Sequence, residues 1–242
     1  MYPRLSDIFL DLFGFELPFP IYSFGAMVAI AVLTAAWLLR LEMDRLYAAG
    51  RFPGIHEQPQ PREKKRREAS KEQSPAVLVG TITILALAAG FAGAKLFHIL
   101  ENLPDFARDP FGMIFSSGGF TFYGGLLIAA AALAWYVRKK GLHVWTFADA
   151  VAPGLMIAYG IGRIGCHLAG DGDWGIASNL QLKPDWIPTW LWAETYPNNI
   201  LNMDIPAPGV YPTPLYELGM AAILFGILWA VRKHPFRPGW LF

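Results

Sequence analysis

The chain has 242 residues, a formal net charge of +1, 54% apolar or aromatic residues and only 16% charged ones, with a mean hydropathy of +0.34. That balance excludes a disordered chain and an ordinary soluble domain, and it matches integral membrane proteins. The single cysteine, Cys166, excludes an intrachain disulfide.

The apolar residues gather into runs of membrane length, about 20 residues for a helix crossing a bilayer. In chain order the expected spans are 20–39, 77–100, 120–137, 147–168 and 214–231. The runs are continuous and lack alternation of period two, so helices are predicted and a barrel is not. The expected fold is therefore all-α: a polytopic α-helical integral membrane protein, a single transmembrane domain over 1–242. About five complete transmembrane helices are expected, with the start of a further one.

The first span is no cleavable signal peptide, because no basic segment precedes it and it ends at Arg40. Residues 51–74, rich in Pro, Gln, Glu and Lys, read as a flexible cytoplasmic loop. Its cluster Lys64–Arg67 can touch anionic lipid, but Glu63, Glu68 and Glu72 offset that attraction, which favours a solvated loop that sets topology. The second span carries Lys95 and His98 near its end, and the third opens on Tyr123, Gly124 and Gly125.

Before the fourth span, Thr146 to Asp149 has the spacing of a capping box, with Asp149 at N3 and Pro153 in the first turns. That span ends in Gly162-Arg163-Ile164-Gly165-Cys166-His167, followed by Asp171 and Asp173. Residues 169–213 form an extracytoplasmic loop region holding Trp174, Trp186, Trp190, Trp192, Tyr196 and Tyr211, the composition of an interfacial belt. Tyr216 and Glu217 open the fifth span. Small residues such as Ala86, Gly90 and Gly93, or Gly160, Gly162 and Gly165, are expected to let helix backbones pack closely.

Basic residues are strongly one-sided. Nine Lys and Arg from Arg40 to Lys71 follow the first span, Arg138, Lys139 and Lys140 the third, and Arg232, Lys233 and Arg237 the fifth. The opposite loops carry only Arg4, Arg108 and Lys183. The positive-inside rule puts the N-terminus outside and the ends of the spans holding Lys95 and Arg163 at the outer face.

Arg163 is the most informative residue. A guanidinium at the end of an apolar span is costly to desolvate and keeps its charge, so an anionic partner is expected. From that residue alone two readings stand: an arginine snorkelling to the interface or paired with Asp171 or Asp173 for structure, and an arginine that binds an anionic ligand. What favours the second is convergence. Lys95, His98, Tyr123, Arg163, His167, Asp171, Asp173, Tyr216 and Glu217 all fall at one membrane depth, a set suited to an anionic lipid head group. Cys166 reads as a packing residue, since no base and orienter can be identified around it. No metal, cofactor or nucleic-acid partner is expected.

These segments resemble the bacterial prolipoprotein diacylglyceryl transferases. Gly162-Arg163-Ile164-Gly165-Cys166-His167-Leu168-Ala169-Gly170-Asp171 is similar to that family's Gly-Arg-x-Gly-Asn-Phe-x-Asn-x-Glu signature. Phe122-Tyr123-Gly124-Gly125-Leu126 is similar to its Phe-His-Gly-Gly-Leu segment, Gly93-Ala94-Lys95 to a Gly-Gly-Arg-like stretch, and Tyr211-Pro212-Thr213-Pro214-Leu215-Tyr216-Glu217 to its His-Pro-x-Gln-Leu-Tyr-Glu element.

The resemblance implies transfer of a diacylglyceryl group from phosphatidylglycerol, or a related anionic phospholipid, to the lipobox cysteine of a prolipoprotein at the bacterial inner membrane. It also implies roles. Arg163 and Lys95 would bind the lipid phosphate with Gly124, Gly125 and Tyr216 beside them; Asp171 and Glu217 would hold the arginine or the geometry; Tyr123 and His167 would serve the proton transfer. Tyr123 replaces the family's histidine, and a phenol is a poor base at neutral pH, so His167 is the substitute. Cys166 and Ala169 replace asparagines, and Asp171 replaces glutamate.

The family continues into a further helix bearing an essential arginine where this chain stops, so a truncated chain or an absent helix is expected. The alternative from another class is a non-catalytic phospholipid-binding or scaffold paralogue. A solute transporter is disfavoured by the lack of an internal repeat.

Overall fold

A computed structural model describes residues 1–15, 18–56, 72–116 and 118–242. Eight α-helices are found among them: α1 (Leu5–Phe13), α2 (Ser23–Ala48), α3 (Val79–Glu101), α4 (Leu103–Arg108), α5 (Pro110–Phe115), α6 (Phe122–Lys139), α7 (Val144–Ala169) and α8 (Thr213–Val231). The described strands are one antiparallel pair, Ile55–His56 with Glu72–Gln73, which closes the ends of the segment expected to be a flexible loop. Most of that segment, residues 57–71, lies outside the described residues.

Among the described residues, four helical segments are long and apolar enough to cross a membrane: Ser23–Ala48, Pro75–Glu101, Val144–Ala169 and Thr213–Val231. They coincide with four of the five expected spans. The remaining one forms α6 as expected, but its 18 residues cover only about 27 Å at 1.5 Å per residue, just under a hydrocarbon core of about 30 Å. Its last turn carries Arg138 and Lys139, placed for a helix C-terminus and for snorkelling.

By contact the chain divides into two units interleaved along the sequence. The first comprises Met1–Leu38 and Val151–Phe236 with Leu241; the second comprises Leu39–Ala150 with Arg237–Trp240 and Phe242.

In the first unit, glycines set the spacing of α7 from its neighbours. A Cβ on Gly160 would lie 3.1 Å from Ala221 Cβ on α8, and one on Gly165 would lie 3.1 Å from Met27 Cβ on α2. Gly162 differs: a Cβ there meets nothing within 4 Å. Apolar surface gives helices no net drive to associate in lipid, so this close backbone approach and its dispersion contacts are what hold them.

In the second unit α3 and α6 share a tighter seam. A Cβ on Gly93 would come within 2.5 Å of Gly124 O, and one on Gly125 within 2.9 Å of Gly90 O. The expected small-residue packing thus extends to Gly124 and Gly125.

The start of α7 departs from the expected capping box. The helix begins at Val144, and His143 does the capping: its Nδ1 accepts from Thr146 N at 3.3 Å and lies 3.0 Å from Thr146 Oγ1. Asp149 makes long-range contacts, accepting from Gly239 N at 2.7 Å and Phe242 N at 3.3 Å. Pro153 consequently sits in the helix interior, where it is fully buried. Neighbouring helices make that tolerable in a membrane.

Candidate functional site

Tyr159, Arg163 and Cys166 lie at spacings of four and three residues, which puts them on one stripe of α7. On that stripe the Arg163 side chain is 13% exposed. Its guanidinium is held from two directions. Glu217, in the first turns of α8, places Oε1 3.1 Å from Nη2 and Oε2 3.0 Å from Nε. Only the Nη2 contact has hydrogen-bond alignment; Nε is buried and out of line, so its contact with Glu217 is an ion pair alone. Asp173 reaches Nη1 at 2.5 Å.

A second group holds Glu217 itself. The Tyr159 hydroxyl donates to Glu217 Oε2, and the Tyr159 ring centroid lies 6.0 Å from Arg163 Cζ. The sequence alone does not single out Tyr159. The readable signal is its position one helical turn before Arg163, which is shared by every residue at that spacing and so carries little weight alone.

The segment following α7 closes over this end of the unit. Residues 173–176 run beside 211–213: Gly175 N donates to Tyr211 O at 2.8 Å, Tyr211 N to Ile176 O at 3.1 Å, and Thr213 Oγ1 to Asp173 O at 2.6 Å. That pairing fixes the backbone of Asp173 beside α8. The flanking Gly170 and Gly172, with φ of 61° and 99°, make the reversal that brings Asp173 back to Arg163. Asp171 takes a different place: its Oδ1 accepts from Asp173 N at 3.3 Å.

Cys166 is buried and lies 3.5 Å from Arg163 Nη1. The ligand atoms of Cys166, Asp171 and Asp173 are within 4.8 Å of one another. The guanidinium already supplies the positive charge there, 2.5 Å from Asp173, and a divalent cation would be repelled by it.

His167, in the last turn of α7, turns toward the loop. Its Nδ1 is 3.1 Å from the Tyr196 hydroxyl, and the two rings meet edge to face at 5.3 Å. Tyr196 is 1% exposed, and burial pushes its phenol above the ordinary range. Trp174 packs on the same ring at 5.0 Å. Some of the aromatics expected in an interfacial belt are thus the core of this loop, whereas Trp186 and Trp190 remain exposed. Tyr216, expected among the substrate-binding residues, donates its hydroxyl to Leu191 O at 2.7 Å and so fastens the loop to α8.

Lys95, His98, Tyr123, Gly124 and Gly125 belong to the second unit. There Lys95 Nζ donates to Ser116 O at 3.1 Å, Ser116 Oγ at 2.7 Å and Gly118 O at 2.9 Å, and lies 4.9 Å from the Phe120 ring centroid. Thr121 Oγ1 donates to Glu101 Oε2 at 2.6 Å. Gly124 packs against Phe97 and the Gly93 carbonyl. Tyr123 is 70% exposed. Of the sequence candidates, then, the structure brings Arg163, Asp171, Glu217 and the nearby His167 and Tyr216 together in one unit, and Lys95, Tyr123, Gly124 and Gly125 in the other.

The profile of the prolipoprotein diacylglyceryl transferases matches residues 12–242. The chain belongs to that family. Curated relatives bear the name phosphatidylglycerol–prolipoprotein diacylglyceryl transferase. One from Leptospira interrogans is 27% identical over 221 residues, covering 78% of this chain and 61% of its own length. One from Enterococcus faecalis is 27% identical over 237 residues, 97% of this chain and 71% of its own. One from Corynebacterium diphtheriae is 31% identical over 173 residues, 66% and 58%. The chain therefore spans about three-fifths of the Leptospira relative. With its apolar helices, this family membership makes it a multi-pass membrane protein.

Proposed function

We propose that the chain transfers the diacylglyceryl group of phosphatidylglycerol to the lipobox cysteine of a prolipoprotein, at the outer face of the bacterial cytoplasmic membrane. The carrying observation is Arg163, held at the end of a span by the Glu217 carboxylate from α8. In the reaction the thiolate sulfur bonds to the glyceryl carbon, the carbon–oxygen bond to phosphate breaks, and glycerol phosphate departs. Negative charge grows on the phosphate as that bond breaks, so a fixed guanidinium beside it lowers the barrier.

Arg163 faces two carboxylates, and a phosphate has to displace one. Asp173 is the one that yields: its side chain is 52% exposed, against 29% for Glu217, and it follows two glycines with positive φ. Glu217 stays, because it meets two guanidinium nitrogens and takes the Tyr159 hydroxyl besides. Asp173 then keeps the cation neutralised until the lipid arrives. In this reading His167 takes the thiol proton on Nε2 while Nδ1–H donates to the Tyr196 oxygen.

The compensated charge of Arg163 equally favours a second reading, a non-catalytic phospholipid-binding or scaffold member of the family. One experiment separates them. Purified protein is incubated with phosphatidylglycerol and a lipobox peptide, and mass spectrometry looks for the diacylglyceryl thioether. Product that disappears with Arg163→Ala supports transfer. Lipid binding that disappears with the same change, without product at any enzyme concentration, supports the second reading. Tyr123→His tests whether that position limits the chemistry.

A further inference from the structure

Helix α1 has six apolar residues among its nine, yet none of the nine is buried. Its two aspartates, Asp7 and Asp11, project on one side, while Leu5, Ile8, Phe9, Leu12 and Phe13 share the other. Leu12 is 71% and Phe13 66% exposed. The rings of Phe9, Phe13 and Phe15 cluster among themselves, with centroids 5.9 to 6.3 Å apart.

A two-turn helix without tertiary burial is marginal in water. This one also lacks a side-chain cap, and the residue at its N-cap is Arg4, a cation beside the positive end of the helix dipole. An apolar boundary under the Phe face and phosphates near Arg4 would remove both defects together.

The backbone says where such a surface lies. Leu5 N donates to Ile21 O at 2.7 Å, Ser23 N to Pro3 O at 2.9 Å and Tyr2 N to Leu168 O at 3.0 Å. These bonds tie the start of α1 to the first turn of α2 and the last turn of α7, the end of the spans where Arg163 sits. The exposed side chains Phe19, Tyr22, Phe24 and Val28 continue the apolar surface of α1 into the belt of α2.

We propose that α1 is a membrane-surface helix, lying flat on the phospholipid leaflet at the Arg163 end with its Leu and Phe face in the acyl boundary and Arg4 at phosphate level. It would hold that end of α2 and α7 at head-group depth.

Spin labels on Leu12→Cys and Asp11→Cys, each made with Cys166→Ala so that one thiol remains, test this. The full chain is placed in nanodiscs of phosphatidylcholine and phosphatidylglycerol. Expected is a label at 12 that collides with oxygen far more than with a water-soluble nickel chelate, and a label at 11 with the reverse preference. Equal access of the chelate to both positions overturns the proposal. So does spin–spin broadening at 12 between two copies in one nanodisc, which would make a second chain the cover. Amide exchange of the unsubstituted chain guards against a damaged variant. Residues 8–13 should exchange at least about tenfold slower in nanodiscs than an unfolded peptide, and exchange at the unfolded rate would count against a membrane-seated helix.

Discussion

Glu217 and Arg163, 54 residues apart, meet across α7 and α8 with both carboxylate oxygens on the guanidinium, at 3.0 and 3.1 Å. The pair joins the two helices at the level where the loop closes, so its loss should register in stability and in activity. Glu217→Ala leaves a largely enclosed cation with the Asp173 ion pair but without its partner on α8, and a hydrogen bond to a charged group contributes about 1.5–3 kcal/mol. The expected outcome is a loss of that size or somewhat less, given partial exposure, read as a lower unfolding midpoint in detergent, with transfer reduced by about tenfold or more. Unchanged midpoint and turnover would show that the pair is incidental.

The Tyr159 hydroxyl bears on Arg163 through Glu217. Tyr159→Phe removes the hydroxyl that Oε2 accepts but keeps the ring near the guanidinium. A lost hydrogen bond of this kind is worth about 1 kcal/mol, so turnover should fall by about fivefold while the fold survives. The discriminating measurement is a double-mutant cycle: in a Glu217→Gln background the Tyr159 change should cost much less than in the original chain.

Asp173 competes with the incoming phosphate for Arg163. Asp173→Asn removes a negative charge about one ion-pair distance from the anion, worth roughly 1–2 kcal/mol in a partly solvated site. Apparent affinity for phosphatidylglycerol should therefore rise by about fivefold to thirtyfold in a lipid-titration assay at low salt, and the gain should shrink as salt is added. A fall in affinity would mean that Asp173 organises the site instead of guarding it.

Two glycines of similar context should respond oppositely. At Gly93 an added methyl meets Gly124 O and Ile128 Cβ at 2.5 and 2.6 Å, and crowding of a packed seam costs about 1–3 kcal/mol. Gly162→Ala has open space and removes a flexible residue from a helix interior, which favours the fold by about 0.5–1 kcal/mol. Thermal unfolding of the two variants side by side should move in opposite directions.

Asn199 holds the loop from inside. Only 4% exposed, it donates Nδ2 to Tyr196 O at 3.0 Å and Met203 O at 2.6 Å and accepts from Met203 N at 2.9 Å. Asn199→Ala leaves those backbone groups unpaired at about 1–3 kcal/mol each where burial persists. Limited proteolysis should cut between residues 195 and 205 sooner in the variant than in the original chain.

Hydropathy makes the helical architecture readable from the sequence, because about 20 apolar residues in a row have one stable form in lipid. Arg163 was legible for a related reason: a permanent charge at the end of such a run needs a partner. Both inferences depend only on local composition. The choice of partners was not legible. Asp171 and Asp173 are two residues apart, and only the turn through Gly170 and Gly172 decides that Asp173 meets the guanidinium. Tyr159 became visible once the rotation of α7 against α8, set by Gly160 on Ala221, aimed its hydroxyl at Glu217. Likewise the sequence does not show that Lys95 donates to Ser116 and Gly118 or that Gly124 packs in the seam with α3. Sequence determines which groups reach a given membrane depth; their facing partners follow from helix rotation and loop closure, which arise from packing between segments far apart in the chain.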